Sequence, residues 1–270
     1  MLPVPRMFRA RNVSRGLDGI RPCQPIMRPM MTFDFAMSFG KNCAARRQLD
    51  YKLAATLPPD APEEMVRATQ SESFLFDWLI TPEQALLRLL RSDFDGFCRQ
   101  ENIVLKNRPS GQMVLEKNYR TQHPHAFGKR GKDHLSTEDI SEQFAAYKAK
   151  IDYLIAKTRR ALSSDAPKLF VLHGSQPGEH VDKLVRVLAR KTTNFHLRQV
   201  EAIHPGGSPT PRPADSARVS YRTVPYLPYP GSTPHWQQAL SDLDIRNRFA
   251  PRTEDDPGAA RQPNSRRAVE

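Results

Sequence analysis

Residues 168–200 decide the fold class, because they read KLFVLHGSQPGEHVDKLVRVLARKTTNFHLRQV. KLFVL at 168–172 is a short apolar run of the kind that forms a buried strand, and residues 195–200 form a second such run. Between them, residues 179–190 carry apolar side chains at helical spacing, at positions Val181, Leu184, Val185 and Leu188. Strand, helix and strand with short connections predict a parallel crossover. We therefore predict an α/β fold, a single domain in which helices flank a mixed sheet and this βαβ unit lies at the C-terminal end.

The segment at 32–53 predicts a second strand that leads into a helix. Residues 32–39 alternate between polar and apolar side chains, with four large apolar ones predicted on a single face: Phe33, Phe35, Met37 and Phe39. A turn follows at 40–42. From Cys43 the spacing of the next apolar residues suits one face of a helix, for which Asn42 is a plausible N-cap.

Three further elements are indicated between these segments. Thr81-Pro82-Glu83-Gln84 predicts a helix that is capped by Thr81, and Arg108-Pro109-Ser110-Gly111 lies between two short apolar runs and predicts a β-hairpin. Ser136 or Thr137 can cap a long helix. Its inward positions are Ile140, Phe144, Tyr147, Ile151, Leu154 and Ile155.

Charge and proline content divide the 270 residues, which carry a formal charge of +12, into three parts. Residues 1–30 hold six Arg and one Asp, and we predict that they form a disordered Arg-rich arm. The arm is explained either by a start codon assigned too far upstream or by a targeting or polyanion-binding role. Residues 31–204 are predicted to be the folded domain. Residues 205–270 are predicted to be a largely disordered Pro/Arg-rich tail, in which a short helix over 234–245 can form and dock Trp236 on the domain.

Several classes of protein are not expected. No stretch approaches the roughly 18 apolar residues of a membrane-spanning helix, and Cys23, Cys43 and Cys98 are too few for a disulfide scaffold, so we expect a cytoplasmic protein without a membrane span. Nucleotide-binding glycine motifs are absent, and His123, His125 and His134 match no dependable zinc spacing, so no cofactor or metal is expected. We do not expect a nucleic-acid partner either, because no aromatic residues interleave with the arginines.

SFGKNC at 38–43 is the most specific candidate site, because it combines a strand, a tight turn and a thiol at the first turn of a helix. Unpaired N–H groups and the positive end of the helix dipole favour thiolate over thiol at such a position. Cys43 is therefore a candidate nucleophile. The alternative is a small buried side chain that packs the corner between strand and helix.

Two histidines are candidate bases for this thiol. His125 follows the predicted hairpin within HPHAF, and His173 follows the KLFVL strand, at the end where reactive groups gather in a parallel sheet. Asp77, the one carboxylate in FLFDWLI, is the candidate to orient the imidazole. A half-buried acid needs a partner, which is equally well a backbone N–H or an arginine.

Five segments together resemble a bacterial family of uncharacterised domains that are classed as papain-like cysteine peptidases. The resemblance covers residues 31–200 and is carried by SFGKNCAARRQL, FLFDWLITPEQALLRLLRSDFDGF, ENIVL, HPHAF and KLFVL. It implies a nucleophile at Cys43, a base at His125 and an orienting acid at Asp77. Ala126 stands where members of the family usually carry an acidic residue.

Two hypotheses for the function follow. The first is a cysteine-dependent hydrolase, a peptidase or an acyl transferase, that acts on a peptide, amide or thioester through an acyl group on Cys43. The second is a non-catalytic binding or scaffolding domain whose Arg-rich arms contact polyanions. The sequence does not indicate the substrate or the oligomeric state.

Overall fold

A computed structural model describes residues 30–40, 44–55, 57–58, 60–62, 73–109, 111–124, 126–128, 134–227 and 233–246. The predictions for the N-terminal arm, Asn42, Cys43, His125 and the end of the tail at 247–270 lie outside these residues. In chain order the elements are β1 (Met31–Phe33), β2 (Phe35–Gly40), α1 (Ala44–Ala54), a 3₁₀ turn (Leu75–Trp78), α2 (Glu83–Arg91), a second 3₁₀ turn (Gln100–Asn102), β3 (Ile103–Arg108), β4 (Gly111–Glu116), β5 (Thr121–Gln122), α3 (Thr137–Ser163), β6 (Lys168–His173), α4 (Gly178–Ala189), β7 (Phe195–Ile203), β8 (Val219–Pro225), α5 (Thr233–Ala239) and β9 (Leu243–Ile245).

A parallel four-stranded sheet in the order β2-β6-β7-β8 forms the centre of the fold. The predicted βαβ unit is β6-α4-β7, in which β6 and β7 pair in parallel from Lys168 opposite Phe195 to His173 opposite Val200. A separate antiparallel sheet of β3, β4 and β5 contains the predicted hairpin, and β1 pairs with β9. The α/β fold class is confirmed.

The central sheet is buried on both faces. Helices α2, α3 and α4 cover one face, where they pack against Phe35, Met37 and Phe39 of β2. A second apolar cluster covers the other face, and it contains residues of α1, α5, β1 and β9. The prediction that Phe33 shares the face of Phe35 is wrong, because a bend at Asp34 ends β1 and Phe33 packs on the opposite face.

Two of the three predicted helix caps lie among the described residues, and their outcomes differ. At α3, the Ser136 side chain accepts a hydrogen bond from Asp139 N, and Asp139 accepts one from Ser136 N, which confirms the cap. At α2, the prediction that Thr81 caps the helix is wrong. Pro82 occupies the N-cap position and no side chain caps the helix.

The folded domain extends beyond residue 204. The tail prediction is wrong for residues 219–225, which form the fourth strand of the central sheet, and the predicted helix over 234–245 ends at Ala239 and is followed by β9. Trp236 is 2% exposed, so its predicted docking is confirmed. Buried Arg198 of β7 binds Asp242, and this long-range ion pair anchors the segment. No helix among the described residues is long and apolar enough to cross a membrane.

Candidate active site

The carboxyl end of β2 lies against the carboxyl end of β6. Gly40, the last residue of β2, pairs with His173, the last residue of β6. Its φ is +135°, and a Cβ atom at this position would lie 2.6 Å from the His173 carbonyl oxygen. Only glycine combines this backbone conformation with so close an approach. Residues 41–43 follow Gly40 directly, and α1 begins at Ala44.

A ladder of backbone hydrogen bonds extends from the outer edge of β2 to the antiparallel sheet. Thr81 N donates to Gly40 O over 2.9 Å, and the preceding residue Ile80 exchanges two hydrogen bonds with Gln122 of β5. Since hydrogen-bonded neighbours lie about 4.8 Å apart, Gln122 is about 10 Å from Gly40. Gly40 and Gln122 therefore lie at the same edge of the fold, and the chain continues from them into residues 41 and 123.

Asp77 is held by three elements at this edge. Its Oδ1 accepts hydrogen bonds from Ser38 N at 2.9 Å and Ser38 Oγ at 2.5 Å. Its Oδ2 accepts from Phe74 N at 2.7 Å and from Arg46 Nη1 at 3.2 Å. No imidazole of the described residues is among these partners, so Asp77 has the backbone and arginine partners that the sequence left as the alternative to an orienting role. By accepting from Ser38 N, the carboxylate also satisfies a backbone donor on the edge of β2 that no neighbouring strand pairs with.

Arg46 brings a positive charge from α1 to Asp77. Burial lowers the pKa of its guanidinium, but the charges of Asp77 and Asp50 outweigh burial and raise the pKa above its ordinary value. Asp50 Oδ1 lies 2.6 Å from Arg46 Nη2. The guanidinium is therefore fixed between two carboxylates, and it ties the first turn of α1 to the segment that carries Asp77.

His173 lies on the face of the sheet that α1 and α5 cover. Its ring meets the Trp236 ring edge-on, with centroids 5.2 Å apart. Burial lowers the pKa of His173 to about 4. The imidazole is therefore neutral at pH 7, and it does not supply the positive charge that would stabilise a neighbouring thiolate.

His123, two residues before His125, is a buried anchor. Its Nδ1 lies 2.5 Å from Tyr147 Oη and its Nε2 lies 3.0 Å from Thr121 Oγ1. Burial lowers its pKa to about 3. The Tyr147 ring also packs on Phe127, with centroids 4.8 Å apart. Tyr147 therefore fixes both ends of the HPHAF segment, and both His123 nitrogens are already occupied.

Sequence reasoning missed a polar cavity of about 630 Å³ at the opposite edge of the sheet. It lies between β8 and α5, and its lining residues include Arg212, Tyr221, Arg222, His235 and Gln238. Each arginine already pairs with a carboxylate: Arg212 with Glu201, and Arg222 with Asp215 and Asp242. The proline-rich composition of this region hid the strand that forms one wall.

Known proteins give this chain no family assignment. No protein-family model, curated protein or solved structure matches it. The function therefore has to be argued from the chemistry of the site residues.

Proposed function

We propose that the protein is a cysteine-dependent hydrolase or acyl transferase that uses Cys43 as its nucleophile and His125 as its base. The supporting observation is the ladder that joins Gly40, Thr81, Ile80 and Gln122. The residues at its two ends lead directly into the segments that carry Cys43 and His125. Proton transfer needs the two side chains to come within hydrogen-bond reach, which requires that the segments carrying them start close together.

Helix α1 adds an electrostatic argument. Cys43 immediately precedes Ala44, where α1 begins, and the N-terminus of a helix favours the anionic form of a thiol. In the proposed reaction the thiolate attacks an acyl carbon, and His125 takes the thiol proton and later gives it to the leaving group. The short motifs that resemble papain-like cysteine peptidases agree with this chemistry.

His173 is the second candidate base. It pairs with Gly40 and lies on the same face of the sheet as α1, but its pKa of about 4 makes it a weak base. His125 is therefore preferred. Three scattered cysteines suit a reducing compartment, for which we propose the cytoplasm.

Alkylation with iodoacetamide at graded pH tests the proposal. We expect Cys43 to react with an apparent pKa below the roughly 8.5 of free cysteine. Peptide mass spectrometry separates the three cysteines, and Cys98 is an internal control, because its side chain is buried and burial raises its pKa to about 12. A Cys43 with an ordinary pKa would instead favour the non-catalytic binding domain.

Single His125→Ala and His173→Ala variants identify the base. We expect the His125 variant to raise the apparent pKa of Cys43, since it removes the imidazolium partner of the thiolate. The His173 variant should leave that pKa unchanged. The reverse result would assign the base to His173.

A further inference from the structure

Strand β8 is an outer strand of the central sheet, and every second residue of it bonds to β7. Tyr226 N donates to Ile203 O, so the even-numbered residues of this segment face β7. The odd-numbered residues, from Val219 to Pro225, therefore direct their backbone polar groups away from the sheet. Such groups are open to water or to another chain unless the protein covers them.

Thr223 is the residue at which this edge stays open. Earlier in the strand, Ser216 bonds to the N–H and the C=O of Val219. Asp215 Oδ1 then accepts from Tyr221 N. Thr223 is exposed, and neither its N–H nor its C=O has a hydrogen-bond partner among the residues that the structure describes.

The open edge borders the cavity of about 630 Å³ between β8 and α5, which we call the β8–α5 groove. Thr223 and Pro225 line it on the strand side. On the helix side, His235 and Gln238 are exposed and lie three positions apart, on one face of α5. The Gln238 amide has no hydrogen-bond partner among the described residues. Each wall therefore offers one donor group and one acceptor group.

We propose that the β8–α5 groove binds an extended peptide segment of a partner protein, which adds a short strand to the edge of β8. Successive residues of an extended chain direct their N–H and C=O groups to opposite sides, so one peptide residue bonds to Thr223 and its neighbour to Gln238. In this mode of recognition the main chain provides the affinity. Because Tyr221 is covered and Pro225 has no N–H, the added strand pairs only at Thr223.

The charges of the groove point to main-chain recognition rather than to an ionic ligand. Arg212 pairs with Glu201. Arg222 pairs with Asp215 and Asp242. Because carboxylates already neutralise both guanidinium groups, an acidic ligand would have to displace them. The inference does not depend on the proposed function, since β8 and β2 are the two outer strands of the sheet.

Random heptapeptides displayed on phage, selected on the full chain, are the probe. An enriched peptide is then synthesised with a fluorophore, and its affinity is measured by fluorescence anisotropy. We expect Thr223→Pro, which removes the N–H, to weaken binding at least roughly tenfold. Proline is already present at the outward position 225, so the fold should accept it at 223. Thr223→Val keeps the backbone groups and should keep the affinity.

Two further variants serve as controls. Thr137→Pro makes the same change at the first residue of α3, where proline is favoured, and it should bind the peptide normally. Gln238→Ala leaves the backbone intact, so it tests the groove even if Thr223→Pro lowers the melting temperature. We expect it to weaken binding several-fold.

Methylation of single backbone nitrogens of the peptide tests the pairing directly. It should weaken binding at two adjacent positions, one for each wall, and one of these two losses should disappear in Gln238→Ala. The affinity should change little between about 50 mM and about 200 mM NaCl, whereas binding of a polyanion would weaken steeply.

Three results would overturn the inference. The first is a selection that enriches no peptide, and the second is a peptide that binds Thr223→Pro and Gln238→Ala as tightly as the unchanged protein. The third is an affinity that falls steeply with salt and is insensitive to N-methylation. Each of these results leaves the alkylation test of Cys43 unaffected, and an ordinary pKa for Cys43 would leave this inference standing.

Discussion

Asp77 at the edge of the parallel sheet and Glu116 in the antiparallel sheet are both withdrawn from water, but their surroundings differ. The Asp77 carboxylate accepts four hydrogen bonds, one of them from the guanidinium of Arg46. Glu116 accepts from the backbone N–H groups of Tyr119, at 2.6 Å, and of Asn118, and its Oε1 has no partner among the described residues. Burial raises the pKa of Glu116. The edge of the parallel sheet thus holds a buried carboxylate, Asp77, together with its hydrogen-bond donors. The surroundings of Glu116 in the antiparallel sheet favour the neutral, protonated acid.

His123 extends this contrast, because it lies in the same region as Glu116 and is also kept neutral by burial. A buried charge stabilises a fold only while all its partners are present. A buried neutral group instead makes stability depend on pH, because its charged form would lose its hydration in the folded protein. The two regions should therefore respond differently to substitution and to acid.

Asp77→Asn should give the largest effect. The amide nitrogen that replaces one oxygen cannot accept from Phe74 N or Arg46, so a buried guanidinium loses a partner. We expect the free energy of unfolding to fall by about 3–5 kcal/mol, measured by urea denaturation.

Asp50→Asn is the matched control for this prediction. Asp50 pairs with the same guanidinium, but its side chain is 27% exposed against 1% for Asp77. Its loss should be about 1 kcal/mol or less. Equal losses in the two variants would contradict the view that burial of Asp77 makes its bonds important.

The contacts of Asp77 also show what sequence can and cannot predict. The elements β6, α4, β7 and α3 follow local apolar spacing, and their prediction is confirmed. The two roles considered for Asp77, orienting an imidazole or pairing with a backbone N–H or an arginine, followed from its residue type. That its partners include Ser38 depends on a sheet edge formed by residues 39 positions apart, which no local pattern encodes.

Strand β8 could not be predicted for a related reason. Its polar residues Ser220 and Arg222 are held by long-range partners: Ser220 accepts from Arg198, and Arg222 pairs with Asp242. The surrounding proline and arginine content is typical of disorder. Sequence composition does not reveal a hydrogen bond that forms only once β7 and β8 lie side by side, or an ion pair between β8 and the residue that precedes β9.

The acid sensitivity of His123 should give an intermediate effect. Its pKa is about 3 in the folded protein and about 6.5 in the unfolded chain, so the unfolded chain binds the extra proton between these values. Stability should therefore fall as pH decreases from 6.5, by about 2 kcal/mol at pH 5 from this group. Urea denaturation of His123→Gln at pH 5 and 6.5 should show a smaller fall than the unchanged protein. An identical fall would place the sensitivity in other histidines, such as His173.

Glu116→Gln should give the smallest effect, and its sign depends on pH. The folded protein raises the pKa of Glu116, so the stability that the neutral acid provides is present below pH 4.5 and is lost as pH rises through the folded pKa. Glutamine keeps the shape and stays neutral. At pH 5 the two proteins should unfold within about 1 kcal/mol of each other, and at pH 8 the variant should equal or exceed the unchanged protein. A loss at pH 8 as large as that of Asp77→Asn would show that Glu116 is a paired charge, and the contrast between the two sheets would then fail.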